Sequence, residues 1–332
     1  MTPLAEILRD EIRREGPISF HRFMQAALYD PRHGYYRRAR DPFGKHGDFY
    51  TAEQLQPVFG ILMAARIRML YEELGAPSEF TVVEVGAGRG EMADAFSAWR
   101  YVPVDIQSGA LPERFRGVVF SNEFFDALPV EAVRYRGGCY REQCVGWNDR
   151  FVWTDGGEAR AELVDYIRRY FPPPEEGAWY EVNLEAIDWM ERMARALEEG
   201  FLVTIDYGYT RAESVRFPQG SLMSYRRHQA EENVLEDPGE RDITAHVCFT
   251  ALEDCGVRLG LKTVRFETLA QTLLAAGEAD QFAAALAAAG EKEEIERRLQ
   301  LKSLLFGMGE TFRTLIQRAR GRSEGHAELR AK

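Results

Sequence analysis

The chain has 332 residues, 45% of them hydrophobic and 29% charged, which is an ordinary composition for a globular protein. Lys and Arg total 42 against 53 Asp and Glu, so the formal net charge is −11. Because a negative surface repels the phosphate backbone, nucleic acid is disfavoured as a partner, whereas a cationic substrate is attracted. No apolar run reaches the roughly 18 residues of a transmembrane helix, so we expect no membrane span.

The N-terminus and the cysteines indicate the cellular compartment of the protein. Residues 1–16 read as an amphipathic helix and lack the apolar stretch and cleavage site of a secretory signal. The four cysteines, at positions 139, 144, 248 and 255, have no paired spacing and no histidine partners. We therefore expect neither a metal site nor a disulfide framework, and this predicts a cytoplasmic location. The sequence leaves the oligomeric state open.

The first part of the chain is predicted to be mostly helical. Apolar residues recur at helical spacing in three segments, Leu4–Arg14, Phe20–Leu28 and Gln54–Leu74. A polar, glycine-bearing loop over residues 34–50 separates the second segment from the third. We predict that residues 1–78 form a helical N-terminal cap or lid.

Strands and helices alternate from residue 79 to the end of the chain. Short apolar runs predict buried parallel strands at Phe80–Val85, Tyr101–Val104, Gly117–Phe120 and Phe201–Ile205. A Gly-Gly turn at residues 137–138 predicts a hairpin within an insertion at about 130–155. An Ala-rich helical insertion at about 268–305 precedes a predicted closing strand, Phe312–Gln317. This alternation predicts an α/β fold with a doubly wound sheet over residues 79–332.

A glycine-rich loop follows the first of these strands. It reads Glu-Val-Gly-Ala-Gly-Arg-Gly from Glu84 to Gly90, and a helix is predicted to follow over Glu91–Trp99. The glycine spacing is one residue shorter than in the dinucleotide fingerprint, whose helix N-terminus receives a pyrophosphate. S-adenosylmethionine has no phosphate, and an acid before the loop suits its ammonium group. The residues predicted to bind this cofactor are Glu84, Gly86, Ala87, Gly88 and Gly90.

A second acid, Asp105, ends the next predicted strand. In nucleotide-binding α/β folds an acid at this place holds the ribose hydroxyls. The simpler interpretation is a tight turn after a strand, with a surface acid nearby. The loop and Asp105 together favour a cofactor site.

A polar turn, Ser121–Pro129, directly follows the predicted strand that ends at Phe120. Ligands of open α/β sheets bind outside the carboxyl ends of the strands, so this turn faces the same crevice as the loop. Asn122 is assigned to the cofactor. Glu123 and Asp126 are candidates for holding a cationic substrate group, since a carboxylate accepts a guanidinium in a bidentate manner. Alternatively, Asn122 or Asp126 caps the start of a helix.

With these motifs in place, the sequence resembles the MidA family. The stretches that carry the resemblance follow the family's order along nearly the whole chain: Gly16–Met24, Ala27–Tyr36, Gly47–Ala52, Glu84–Gly90, Asn122–Val130, Ile205–Tyr209, Asp237–Glu240, Asp242–Val247 and Gly307–Glu310. The resemblance implies a class I methyltransferase core that uses S-adenosylmethionine, a helical N-terminus and a helical insertion before the last strand. It also implies that the methyl acceptor is an arginine of a partner protein.

The chain departs from a complete class I sheet at one place. Only eleven residues separate Asp105 from Gly117, where a helix, a third strand and another loop would be needed. We therefore expect a Rossmann-like sheet with a shortened third-strand edge. That edge normally helps to close over the adenine.

Four side chains are candidates for catalysis. An arginine acceptor needs carboxylates that orient its guanidinium in line with the methyl donor. Glu123 is the first candidate and Asp126 the second, while Asp206 ends a predicted strand and is a candidate for lining the substrate side. His246, in Thr-Ala-His, resembles the Thr-His-Trp loop of protein arginine methyltransferases by analogy only. A histidine before an apolar helix is more often structural.

Aromatic residues of the N-terminal loop are candidates for a lid over the cofactor. Tyr50 and Thr51 lie in a loop flanked by glycine and are assigned to the cofactor. Tyr35 and Tyr36 have the alternative of packing the helical cap onto the core. The candidates for the lid are therefore Tyr35, Tyr36, Phe49 and Tyr50, and packing of the cap is at least as well supported for Tyr35 and Tyr36.

Three alternatives stay open on the sequence alone. The chain is either a methyltransferase acting on a protein arginine, a non-catalytic assembly factor on a methyltransferase frame, or a small-molecule methyltransferase. The shortened sheet edge supports the assembly factor, whereas Glu84, the loop and Glu123 argue for catalysis. A nicotinamide oxidoreductase is the weakest interpretation because the glycine spacing differs from its fingerprint.

Overall fold

The computed structural model describes residues 1–37, 52–106, 108–226 and 229–321. Tyr50 and Thr51, which the sequence assigns to the cofactor, and Phe49, a candidate for the lid, lie outside these ranges. Within the ranges no helix is both long and apolar enough to cross a membrane.

The described residues form ten α-helices and fifteen strands. In chain order, the helices are α1 (Pro3–Glu15), α2 (Phe20–Tyr29), α3 (Val58–Glu73), α4 (Ala161–Tyr170), α5 (Leu184–Ala196), α6 (Phe249–Arg258), α7 (Leu269–Gly277), α8 (Ala283–Leu286), α9 (Glu291–Ser303) and α10 (Gly309–Thr311). The strands are β1 (Ile18–Ser19), β2 (Thr81–Val85), β3 (Arg100–Val104), β4 (Phe115–Asn122), β5 (Glu131–Arg136), β6 (Cys139–Trp147), β7 (Phe151–Glu158), β8 (Trp179–Val182), β9 (Leu197–Tyr209), β10 (Met223–Arg226), β11 (Gln229–Glu231), β12 (Asp242–Thr244), β13 (Val247–Cys248), β14 (Lys262–Thr268) and β15 (Phe312–Ala319).

The chain folds as two compact units, and each is assembled from three segments. The first unit takes the described residues of Met1–Tyr50, Phe125–Ile187 and Tyr209–Ala251, and the second those of Thr51–Phe124, Asp188–Gly208 and Leu252–Lys332. This division differs from the predicted boundary after residue 78, because α3 belongs to the second unit and not with α1 and α2. Packing of α3 against the strands that follow it explains the difference.

The second unit is built on a sheet with the strand order β14-β15-β9-β4-β2-β3. Strands β3, β2, β4 and β9 are parallel neighbours, whereas β15 runs antiparallel to β9 and β14 antiparallel to β15. Helices α7, α8 and α9 lie between β14 and β15 in the sequence. The predicted α/β sheet, its closing strand and the helical insertion before that strand are therefore confirmed.

The sheet is shortened at one edge. Strand β3 ends the strand order on its side, and the described residues between β3 and β4 form no further strand and no helix. An isolated bridge between Asp105 and Ser108 turns the chain back towards β4. The expected loss of the third strand is confirmed within the described residues.

Apolar side chains from α3, the central strands and the helical insertion fill one core in the second unit. Helix α3 contributes Phe59 and Leu62, and α7 contributes Leu269 and Leu273. Each of these side chains is almost fully buried. Burial of this size stabilises the unit by about 2 kcal/mol for each large side chain, before the opposing entropy is counted.

The predicted helix over Glu91–Trp99 is wrong. This segment is a series of turns, in which the amides of Ala93, Ser97 and Trp99 donate to carbonyls three residues earlier. Met92 and Phe96 are fully buried from this segment. Since β3 begins directly afterwards, tertiary packing overrides the local helical preference.

The first unit is antiparallel. Its larger sheet has the order β1-β6-β5-β8, with β7 also paired to β6, and its smaller sheet has the order β11-β10-β12. The predicted hairpin with its Gly-Gly turn is confirmed as β5 and β6. One apolar core lies among α1, α2 and the larger sheet, and a second one packs α4 against β5, β6 and β8.

Close packing of the central strands at their amino ends allows a testable prediction. Gly117 on β4 pairs with Thr81 on β2, and it has a φ of +150°. A Cβ at this position would collide with the Thr81 carbonyl group. We expect Gly117→Ala to lower the free energy of unfolding by about 2–4 kcal/mol in denaturant titrations.

Gly307→Ala serves as the control, because a Cβ at Gly307 would have no neighbour within 4 Å. Its unfolding free energy should stay within about 0.5 kcal/mol of the parent. Equal stability of both variants would contradict the packing described for the central strands.

Candidate active site

The glycine-rich loop is held by the end of the neighbouring strand β3. The Val104 carbonyl accepts the amides of Gly86 and Ala87 at 2.9 and 3.3 Å, and the amide of Gly90 donates to the Ala87 carbonyl at 2.7 Å. Gly86 has a φ of +79°, and a Cβ there would lie 2.9 Å from the Phe124 ring. Only glycine fits this turn without displacing Phe124.

Asp105 lies at the same end of β3 and fixes the exposed part of the loop. Its Oδ2 accepts the amide of Gly88 at 2.9 Å. The carboxylate therefore lies beside the loop backbone, where the sequence predicted a group for the ribose hydroxyls. Asp105 and the loop are brought together as expected from the ends of adjacent parallel strands.

Glu84 is a buried carboxyl group at the base of the loop. It is 1% exposed, and its Oε2 accepts a short hydrogen bond from the Tyr101 hydroxyl. Burial raises the pKa of Glu84 to about 7, and the bond from Tyr101 opposes this rise. Near neutral pH this side chain therefore changes charge easily in response to a nearby cation.

Glu53 completes this acidic centre, and the sequence reasoning missed it. It lies in a short 3₁₀ turn (Ala52–Gln54) that precedes α3, and it is 7% exposed. Burial, and then repulsion from Glu84 and Glu123, raise its pKa well above the ordinary value. In the sequence, an acid just before an apolar helix indicates only a solvated residue near the helix N-terminus.

The polar turn after β4 lies next to the end of β9. Asn122 is paired with Ile205, and the Glu123 amide donates to the Ile205 carbonyl at 3.0 Å. Asp206, the next residue, is fully buried, and its Oδ1 accepts the Tyr207 amide at 2.9 Å. The structure therefore brings Glu123 and Asp206 to neighbouring strand ends.

Glu123 has an unusual backbone conformation for its residue type. Its φ is +49°, in the left-handed region that non-glycine residues seldom adopt. Its Oε1 accepts the Ala52 amide at 3.1 Å and the Asn122 side-chain amide at 3.3 Å. Strain of this kind is concentrated at functional sites, where the surroundings hold the residue in place.

The other two predicted catalytic residues lie in the first unit. Asp126 is buried, and its carbonyl accepts the Ala245 amide at 2.9 Å. His246 donates its backbone amide to Ser221 Oγ at 3.0 Å, and its ring packs edge-on against Phe217 at 4.7 Å. Their catalytic roles stay predictions.

Burial also sets the charge of His246. It lowers the pKa of the imidazole to about 4, so the ring is neutral at pH 7. The neighbouring network is polar, since Ser221 Oγ donates to the buried carboxyl group of Glu181 at 3.1 Å. A neutral imidazole in aromatic packing is consistent with the structural alternative for His246.

The residues around the loop fit a cofactor that donates hydrogen bonds. Buried Oε1 of Glu84 and buried Oδ1 of Asn122 have no hydrogen-bond partner among the described residues. The side-chain oxygen of Gln54, Oε1, shares this property. Buried polar groups in native proteins are almost always satisfied, so these atoms indicate a ligand with several donors. The ammonium and hydroxyl groups of S-adenosylmethionine are donors of this kind.

A cavity of about 1020 Å³ in the second unit lies at the opposite end of the strands. Its walls include Thr81, Arg100 and Phe115, the first residues of β2, β3 and β4. Arg114 and Arg116 on this side are paired with Glu198 and Glu199. Because open α/β sheets bind ligands at their carboxyl ends, this cavity is not the cofactor site.

The parallel sheet, the glycine-rich loop between Glu84 and Gly90, and the acid at Asp105 define a methyltransferase that depends on S-adenosylmethionine. A family model described as "Putative S-adenosyl-L-methionine-dependent methyltransferase" matches residues 96–267. The chain belongs to this family, and the predicted resemblance to the MidA family is confirmed.

Solved structures and curated relatives agree with this assignment. A crystal structure from Burkholderia thailandensis, bound to S-adenosyl-homocysteine, has a TM-score of 0.86 and 30% identity, and the match covers 95% of this chain and 91% of that one. Protein arginine methyltransferase NDUFAF7, mitochondrial, from Bos taurus is 33% identical over 321 residues, covering 76% of this chain and 68% of the relative. The Drosophila melanogaster homolog is 28% identical over 310 residues, covering 74% and 68%.

The predicted cytoplasmic location is wrong. The curated relatives, from Drosophila melanogaster to Homo sapiens, are named as mitochondrial proteins. The prediction came from the absence of a recognisable secretory signal and from few, unpaired cysteines. These features indicate a reducing compartment, but they do not distinguish the cytoplasm from the interior of the mitochondrion.

The loop predicts the effect of one substitution on cofactor binding. Gly88 has a φ of +51°, and its amide is bonded to Asp105. Gly88→Val places a branched side chain where the loop assignment predicts contact between the backbone and the cofactor. We expect the affinity for S-adenosylhomocysteine to fall about 100-fold or more, equivalent to about 3 kcal/mol, in calorimetric titrations.

Gly75→Val is the matched control, because Gly75 also has a positive φ and lies in open space. Both variants should lose a similar amount of stability, about 1–2 kcal/mol. Unchanged cofactor affinity in folded Gly88→Val protein would contradict the loop assignment.

The charge state of His246 predicts a pH dependence of stability. The folded pKa of about 4 lies below the ordinary 6.5, so the unfolded chain binds more protons between these values. The contribution of neutral His246 is complete above about pH 6.5 and is lost as the pH falls towards 4. Chemical unfolding at pH 7.5 and pH 4.5 should show that His246→Gln costs about 1–3 kcal/mol less at the lower pH.

The same cost at both values of pH would show that the imidazole is not held neutral by its surroundings. Repeating the pair of measurements on His33→Gln, a partly exposed histidine in the same unit, controls for the general loss of stability in acid.

Proposed function

We propose that the protein transfers the methyl group of S-adenosylmethionine to an arginine side chain of a partner protein. The observation that carries the proposal is the carboxylate of Glu123, held in a left-handed conformation at the carboxyl end of β4. The name of the curated relatives, protein arginine methyltransferase, supports the same acceptor.

The acids at the strand ends suit a guanidinium acceptor. Glu123 follows β4 and Asp206 lies near the end of β9, so two carboxylates occupy adjacent positions at this edge. A guanidinium has five donors and is bound most specifically by carboxylates in a bidentate manner. Carboxylates in this position orient the acceptor nitrogen and stabilise the cationic group during transfer.

In this proposal the cofactor supplies the methyl group, which is carried on its sulfonium. The residues of the chain position the cofactor and the acceptor. Glu84 would bind the ammonium group of the cofactor and Asp105 its ribose hydroxyls, and Asn122 would offer a further acceptor. Glu123 binds the acceptor, and Asp206 lines its side of the site. Asp126 is a second candidate for the acceptor, and His246 for a base. The formal charge of −11 favours the approach of a basic segment of the partner.

The proposal is tested by labelling. The purified protein is incubated with methyl-labelled S-adenosylmethionine and with a lysate of source cells that lack its gene, and the labelled products are hydrolysed for amino-acid analysis. We expect the label in methylarginine of a macromolecular fraction. Label confined to small molecules, or to another amino acid, would overturn the arginine assignment.

Glu123→Gln tests the residue that carries the proposal. The amide keeps the shape and the contact with Ala52 but loses the negative charge. We expect the rate of methyl transfer to fall about 100-fold or more, with the affinity for S-adenosylhomocysteine within about threefold of the parent.

Glu72→Gln, an exposed acid on α3, is the control and should leave both quantities unchanged. A Glu123→Gln enzyme with the parent rate would show that this carboxylate does not act on the acceptor.

A further inference from the structure

The buried carboxyl groups of Glu53 and Glu84 are neighbours at the base of the loop, close enough for one to donate a hydrogen bond to the other when it is protonated. We call these two groups the carboxyl pair. They are 7% and 1% exposed, and in each the Oε1 atom has no donor among the described residues. Ionised carboxylates only accept hydrogen bonds, so the two can bond only if one of them keeps its proton. Burial raises the pKa of both groups, so near neutral pH the carboxyl pair keeps at least one proton.

A second observation, independent of the acids, indicates a ligand beside the carboxyl pair. Asn122 is 4% exposed and donates its side-chain amide to Glu123, yet its Oδ1 has no partner among the described residues. Asn122 ends β4, next to the β2 strand that carries Glu84. A buried acceptor that no residue satisfies indicates a donor that arrives from outside.

The arrangement fits an organic cation better than a metal ion. Within the described ranges, no group of three or more His, Cys, Asp or Glu side chains is placed to hold a metal. An ammonium has three donors and needs no fixed coordination geometry. Two carboxyl oxygens and an amide oxygen are acceptors of the kind and number that it requires.

We propose that Glu53 is a second carboxylate for the methionyl ammonium of the cofactor, and that cofactor binding exchanges the shared proton of the carboxyl pair for that ammonium. No covalent bond forms or breaks except the O–H bond of the carboxyl pair, whose proton passes to the solvent. Loss of this proton adds one negative charge to the pair, which the positive charge of the incoming ammonium balances. The inference rests on the assignment of the loop to S-adenosylmethionine and does not depend on the methyl acceptor.

The groups that surround the carboxyl pair favour this exchange. Tyr101 on β3 donates to Glu84, and the charges of Glu91 and Asp105 raise the proton affinity of Glu84. Glu123 does the same for Glu53. Arg89 is already paired with Glu91 at 2.7 Å. With so many acids around it, the pair keeps its proton until a cation replaces it.

The test is calorimetric titration with S-adenosylhomocysteine at pH 6.5, repeated in buffers of different ionisation enthalpy. The dependence of the heat on the buffer counts the protons released. We expect the parent protein to release between half a proton and one proton per ligand, as the carboxyl pair predicts. Its affinity should rise with pH between about 6 and 8, by up to about tenfold per unit, because the proton must leave.

Two variants test whether the released proton comes from the carboxyl pair. In Glu53→Gln the amide donates to Glu84 without a shared proton, so we expect proton release near zero and an affinity independent of pH. Glu72→Gln removes an exposed acid of α3 that does not contribute to the proton affinity of the pair, and it should keep the proton release of the parent. A Glu53→Gln protein that releases as many protons as the parent would overturn the proposal.

A second ligand identifies the group that displaces the proton. 5′-Methylthioadenosine shares the adenosine part and lacks the ammonium, so its binding should release no proton. Equal release with both ligands would assign the proton to loop closure and not to the ammonium. Binding of S-adenosylhomocysteine without proton release would overturn the exchange alone, whereas no binding to the folded protein would overturn the cofactor assignment itself.

Discussion

The close contact of β2, β3 and β4 at their carboxyl ends is the constraint on which the site depends. The Val104 carbonyl and the Asp105 carboxylate together bind the amides of Gly86, Ala87 and Gly88. This fixes the loop without any contribution from a regular helix, since the segment after it is a series of turns. The same strand spacing buries Glu84 and thereby determines its charge. The geometry of the loop and the acid–base state of Glu84 therefore have one origin.

Much of this arrangement could be predicted from local sequence. The apolar β-branched runs, the glycine spacing and Asp105 predicted the sheet and its loop, because these features act between residues that are close in the chain or at the same sheet edge. The loss of the third strand was predicted from the short segment between Asp105 and Gly117 alone. Where packing decided the conformation, as at Met92 and Phe96, the predicted helix was wrong.

Contacts between distant segments could not be predicted in this way. Glu53 meets Glu84 only through the fold, and neither periodicity nor a motif distinguishes it from a solvated acid before a helix. The candidates Asp126 and His246 lie in the other unit from Glu123, which their positions in the sequence did not indicate. Burial also keeps His246 neutral, and this charge state could not be predicted from the residue type alone.

The most direct test of the cofactor site is a crystal structure of the protein with S-adenosylhomocysteine. We expect the ligand at the carboxyl ends of β2, β3 and β4, with its ribose at Asp105 and its ammonium beside Glu84 and Glu53. Ligand bound instead in the cavity at the amino ends of these strands, next to Arg100 and Phe115, would contradict the assignment of the glycine-rich loop to the cofactor.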